Sequence, residues 1–134
     1  MSLEPAVAAR LLAAPDVTSI AGQRIGWLQR LATPCVSLTI VSDPRPQHYR
    51  GFQRVRQTDI QADCWADNPG AAAALREAVI AALVPAATRN GVTFQRGRVE
   101  NIRHGAEREP AGSAGRPDAV LYRESIDFIL THNA

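Results

Sequence analysis

Few residues in this chain are of types that do covalent chemistry, and their spacing argues against it. The triplet Asp63-Cys64-Trp65 holds a thiol between an acid and an aromatic. Cys64 falls in phase with Ile60 and Ala62, however, and a thiol buried among apolar residues with no cation beside it is inert. Cys35 and Cys64 are the only cysteines, far apart and without a CxxC partner, so neither a disulfide framework nor a cysteine metal cluster is expected. His48, His104 and His132 have no i, i+4 helical partner and no adjacent carboxylate, which reads as surface histidine. His132 is expected in a loose tail. All 15 cations are arginine, so a Walker lysine, a Schiff base and a lysine general base are excluded. The glycines of "AGSAGRPD" neither follow a parallel strand nor open a helix. Asp59, Asp63 and Asp127 share a polar face and are read there as solvated or interface carboxylates rather than a catalytic pair.

What remains is a stretch suited to contact. In "SDPRPQHYRGFQRVRQTD", Ser42 to Asp59, the two aspartates enclose Arg45, Arg50, Arg54 and Arg56, with Tyr49 and Phe52 among them. Arginine would meet phosphates or carboxylates, and the aromatics would stack on bases or anchor a protein interface. Against nucleic acid stand a net charge of only +2 and the lack of any nucleic-acid-binding motif.

The elements that position these residues follow from periodicity. Leu3, Val7 and Leu11 form a stripe behind Ser2 and stop at Pro15, predicting a helix over about 3–14. "PDVTSIAGQ" reads as a loop and "RIGWLQRL" as a weak strand. Val36, Leu38 and Ile40 alternate with polar neighbours after Pro34. Ile60, Ala62, Cys64 and Ala66 do the same. Matching the apolar faces of these two strands sets Ile40 opposite Ile60, Leu38 opposite Ala62 and Val36 opposite Cys64, with Cys35 facing away from Cys64. The basic stretch then becomes the far end of a long β-arm. Asn68 and Pro69 open a helix carried by Ala71, Ala74, Leu75, Ala78, Val79, Ala82 and Leu83. Pro85 ends or kinks it, and Asn90-Gly91 terminates it. A strand with a bulge at Gly97 follows, then the loop "HGAEREPAGSAGRPD" and a last strand, "AVLYRESIDFILTH". The second sheet face would carry Ser37, Thr39, Gln61, Asp63, Trp65, Arg123, Ser125 and Asp127. A tryptophan among polar groups is interface composition.

The expected fold is α+β: an antiparallel sheet of about five strands with two helices on one face and a long β-hairpin arm, in the order α-β-β-β-α-β-β. At 134 residues this is a single domain, 1–134. No run approaches the roughly 20 apolar residues of a membrane span. The N-terminus has an acid before its apolar stretch and an arginine within it, so a cytoplasmic product without an export signal is expected.

The chain resembles the small tail-completion proteins of tailed phages, prophages and gene transfer agents, a group that includes tail terminators and tail-to-head joining proteins. The resemblance rests on "RIGWLQRLATPCVSLTIVSD", on "IQADCWADNPGAAAALREAVIAAL" with Gln61, Asp63, Trp65 and Ala66 in a Gln-x-Asp-x-aromatic-Ala pattern, and on "YRESIDFILTH". It implies a non-enzymatic structural protein of a particle's tail, assembled in the host cytoplasm without cofactor or metal. It further implies a hexameric homo-oligomeric ring at the head-proximal end, touching the tail tube protein and the head-tail connector, with DNA passing through the channel. The family transfers no particular side chains. The candidate interface is therefore read from this sequence alone: Arg45, Tyr49, Arg50, Phe52, Arg54, Arg56, Trp65 and Arg123. The alternative is a small nucleic-acid-binding α+β module using the same arm.

Overall fold

The computed structural model describes residues 2–108 and 120–134. In chain order the elements are α1 (Leu3–Leu12), α2 (Pro15–Ala21), β1 (Ile25–Trp27), β2 (Cys35–Ser42), β3 (Gln47–His48), β4 (Gly51–Phe52), β5 (Arg56–Ala66), α3 (Pro69–Leu83), β6 (Ala87–Arg89), β7 (Val92–Phe94), β8 (Arg98–Arg108) and β9 (Val120–His132). The main sheet has seven strands in the order β1-β2-β5-β9-β7-β6, with β8 also paired to β9. None of the described helices is long and apolar enough to cross a membrane.

This corrects the expected fold class. The fold is α+β, but it has three helices, and its sheet is mixed because β1 runs parallel to β2. The extra helix, α2, lies where a loop was expected. Pro15 ends α1 and also stands at the first position of α2, where a residue without an N–H loses nothing. The extra strand, β6, lies where the end of the helix was expected. Pro85 stops α3 two residues earlier, at Leu83, and Asn90-Gly91 instead turns the β6–β7 hairpin. Asn90 and Gly91 both have positive φ, 52° and 76°, as a tight hairpin turn requires. The strand expected at 92–101 breaks at Gly97. A Cβ there would come within 3.0 Å of the Leu83 carbonyl oxygen, and the Gly97 N–H donates to the Val84 carbonyl at 2.8 Å. Residues 104–108, expected in a loop, extend β8; the remainder of that loop, 109–118, lies outside the described residues.

The β2–β5 register is as the alternation predicts: Val36↔Cys64, Leu38↔Ala62 and Ile40↔Ile60. β9 continues the rows with Ile126 beside Ala62 and Phe128 beside Ile60. One core joins this face to all three helices through Val7 and Leu11, Val17, and Leu75, Val79 and Leu83. In α3 the buried stripe uses Ala72 rather than Ala71 or Ala74. Asn68 caps α3, its side chain accepting the Ala71 N–H at 2.8 Å. Asn68→Ala is expected to destabilise the chain by about 1 kcal/mol in urea denaturation.

Candidate interaction arm and sheet face

The arm grows from the β2–β5 pair, whose regular register ends at Ile40↔Ile60 and, after a shift of one residue, closes with Ser42↔Asp59. Beyond it, β3 and β4 form a separate two-stranded sheet joined through Tyr49 and Arg50. Gly51, at φ 131°, closes the turn in a conformation that favours glycine. At the tip Tyr49 is 92% exposed and Phe52 64% exposed. Arg50 lies over the Tyr49 ring, 5.5 Å from its centroid, and donates to its hydroxyl at 3.2 Å. Arg54 is exposed.

The root of the arm is held by polar contacts rather than by packing, and a cleft of about 330 Å³ lined by Pro44, Pro46, Val55 and Thr131 separates it from the sheet end. Asp43 is the centre. Its carboxylate accepts from Arg45 Nη2 at 2.8 Å, Arg56 Nε at 3.0 Å and Thr58 Oγ1 at 2.8 Å. Burial alone would raise this carboxyl, but the bonds from Thr58, Arg45 and Arg56, with the Arg56 charge, outweigh it and hold it below its ordinary value. Arg56 also reaches the Ala134 carbonyl, and Thr58 meets His132 Nε2 at 2.7 Å. The arm root is thus tied to the end of β9.

His132 is therefore neither a surface residue nor part of a loose tail; it is 1% exposed and pairs with Phe94 across β9 and β7. Burial first, then the Arg56 charge, push its pKa down to about 4 despite the opposing pull of Asp43. Its Nδ1 accepts the Ala134 N–H at 3.1 Å, which leaves the proton on Nε2 to donate to Thr58.

The second sheet face is only partly open. Trp65 lies on it as expected but is 7% exposed, in a small cluster with Cys35 and Leu121. Its Nε1 donates to Ser37 Oγ at 3.2 Å, and Arg30 and Arg123 flank the ring at 5.1 and 5.6 Å. Arg123 crosses Gly105, where a Cβ would come within 2.8 Å of the guanidinium, and reaches Glu107 at 2.8 Å. The rest of the face is a polar ladder. Ser125 and Gln61 donate to Asp63, and Arg103 donates to Asp127 at 3.0 Å and to Gln61 at 3.2 Å. On the helix face Arg76 binds Glu124 at 3.1 Å, and His104 contacts the same carboxylate.

Cys64 is completely buried, and burial, with the charges of Asp63 and Glu124, pushes its thiol well above the ordinary value. Among the described residues no group of three or more His, Cys, Asp or Glu side chains is placed to hold a metal. Of the eight interface candidates, the structure commits Arg45, Arg56, Trp65 and Arg123 to contacts within the chain. It leaves Tyr49, Arg50, Phe52 and Arg54 together on the projecting hairpin. Arg10, which the sequence reading passed over, is also buried and bonds α3. A single arginine in phase with Leu3 and Val7 was its only signal.

The chain is thus a layered body with an anchored arm that carries exposed aromatic and cationic side chains. Residues 5–129 match the family described as Tail completion protein gp17, and the chain belongs to that family. It is a structural component of a phage-like particle's tail. A solved chain of the "Virion of native gene transfer agent (GTA) particle" is similar in fold, with a TM-score of 0.68 at 19% identity, covering 99% of this chain and 96% of that one. No curated protein matches.

Proposed function

We propose that copies of this chain close a ring at the head-proximal end of the tail tube, where they end the tube or join it to the head connector, without enzymatic activity. Family membership supports the location. The observation that carries the docking role is the arm tip, where Tyr49 and Phe52 stand exposed on a hairpin whose root is fixed to the body. An exposed aromatic pair on a rigid support anchors an interface at little cost in ordering. A nucleic-acid role is less favoured, because Asp43 pairs with both Arg45 and Arg56, and only Arg50 and Arg54 of the arm's arginines stand without a carboxylate partner among the described residues.

The test is the double variant Tyr49→Ser, Phe52→Ser, which alters no core contact. Its melting temperature should match that of the unaltered chain. Its binding to tail tubes isolated from particles assembled without this chain should weaken about 30-fold or more. Unchanged tube binding and normal particles would refute the docking role. Steeply salt-dependent DNA binding by the unaltered chain, lost in an Arg50→Gln, Arg54→Gln variant, would favour the nucleic-acid reading.

A further inference from the structure

β8 is the least protected strand of the main sheet. Its inner edge pairs with β9 from Arg98↔Ile129 to Arg108↔Val120, and among the described residues no strand lies on its outer edge. It is 11 residues long, and none of its side chains is buried. An edge of this length presents a row of open N–H and C=O groups to any chain able to pair with it. Proline, a common guard of such edges, does not occur in β8. Its one bulge lies between Val99 and Asn101, which leaves 101–108 regular. Val99 and Ile102 remain exposed on its helix-facing side.

Charge is the remaining guard, and it blocks only those registers that set like charges opposite each other. Arg103 and Glu107 both point to the second sheet face, beside Ser125 and Leu121 of β9. Each is about half exposed, and each has a partner in its own chain, Asp127 for Arg103 and Arg123 for Glu107. Two antiparallel copies of β8 are related by a two-fold axis, so one residue faces its own copy and the others pair symmetrically about it. An axis at Arg103 would set two guanidiniums against each other. An axis at His104 would set Arg103 opposite Gly105 and Glu107 opposite Asn101. An axis at Gly105 sets Arg103 opposite Glu107 twice, with the smallest residue at the centre.

We propose that the outer edge of β8 receives β8 of a second copy of this chain, antiparallel about Gly105, with Arg103 of each copy meeting Glu107 of the other. Opposite residues of an antiparallel pair have Cβ atoms about 5 Å apart, within reach of both side chains. Glu107 then lies between Arg123 of its own chain and Arg103 of the other. Arg103 lies between Asp127 of its own chain and that glutamate. The two Arg123 guanidiniums approach the axis, where each keeps its own Glu107 as counter-charge. A two-fold contact closes on itself and does not repeat head to tail, so this pair is a state of the free chain, separate from the ring. It covers an edge that would otherwise recruit other strands.

Light scattering on the isolated chain at rising concentration should show the mass move from 14.5 kDa towards twice that value. Arg103→Glu and Glu107→Arg should each raise the dissociation constant about tenfold or more, because each sets two like-charged pairs opposite. An equal mixture of the two variants should recover the pair, since every contact in the mixed species joins a glutamate to an arginine. Recovery on mixing also shows that both variants are folded. Where a reversal lowers the melting temperature, Arg103→Gln and Glu107→Gln decide: each should weaken the pair without introducing like charges, and an unchanged dissociation constant overturns the contact. It is also overturned by an unaltered chain that stays monomeric at high micromolar concentration, by reversals that leave the pair intact, or by folded variants that fail to pair when mixed. Tube binding by the unaltered chain is measured separately, so none of these outcomes touches the ring reading.

Discussion

Arg10→Ala is expected to destabilise the chain by about 3 kcal/mol, because this charged side chain falls in phase with Leu3 and Val7 and is buried with them. Arg10 is 6% exposed and leaves α1 to donate from Nη2 to the Ala82 carbonyl at 2.9 Å and the Pro85 carbonyl at 2.6 Å. The last turn of α3 has no basic residue of its own, so Arg10 brings a cation to a helix end that wants one. Its guanidinium also lies over Phe94, 4.8 Å from the ring centroid. Two opposed effects decide the size of the loss. Burial, with the nearby Arg89 charge, lowers the Arg10 pKa, so its removal relieves a cost. Against that, the part-buried Ala82 and Pro85 carbonyls lose their charged donor, at up to about 1–3 kcal/mol for each group left unpaired. The carbonyls win. Arg10→Met, which keeps the packing but not the donors, should lose about 2 kcal/mol, and Arg10→Lys less than that. Urea unfolding followed by tryptophan fluorescence measures all three. A methionine variant as stable as the unaltered chain would show that these bonds do not support α3.

The second large effect is on pH. His132 titrates near 4 in the folded chain and near 6.5 when unfolded, so between those values the unfolded chain binds more protons. Stability is therefore complete at neutral pH, falls as pH is lowered from about 6.5, and loses about 3 kcal/mol by pH 4. Asp43 acts in the next window down. Its folded carboxyl lies below the ordinary value, so its contribution is present above about 3.8 and is lost as pH falls further. His132→Gln keeps a donor towards Thr58 and should flatten the upper part of the curve while leaving the loss below pH 4. The measurement is urea unfolding at a series of pH values from about 7 to 3. A slope in the upper range that survives in the variant would assign it to another group. Protonation takes the Nδ1 lone pair that accepts the Ala134 N–H, while Nε2–H can still donate to Thr58.

The long alternating segments were legible in the sequence. Val36-Leu38-Ile40 and Ile60-Ala62-Cys64 can bury one face only in one register, and a slip of one residue would turn every side chain over. The short segments were not. Three residues of β6 carry no period, and Asn90-Gly91 suits a helix end as well as a hairpin turn. Pro15 was ambiguous in the same way, ending one helix and starting the next. The arm shows the same division. Its existence followed from the length between paired strands, while the fate of its arginines did not. Arg45 and Arg54 are alike as letters; one is two residues from an aspartate that binds it, and the other meets no acid.

By itself the amino-acid sequence determined the β2–β5 hairpin, the capped α3, the inert Cys64 and the family, because each rests on local periodicity or a contiguous pattern. Only the tertiary structure decided that β1 pairs in parallel, that Arg10 serves a helix end formed 72 residues later, that His132 is buried beneath the arm, and that Trp65 is covered while Asp59 lacks a donor. The reason is physical. Alternation states which side of an element faces apolar neighbours, but a buried polar group is satisfied by whichever distant donor the fold brings within about 3 Å, and no local pattern encodes that meeting.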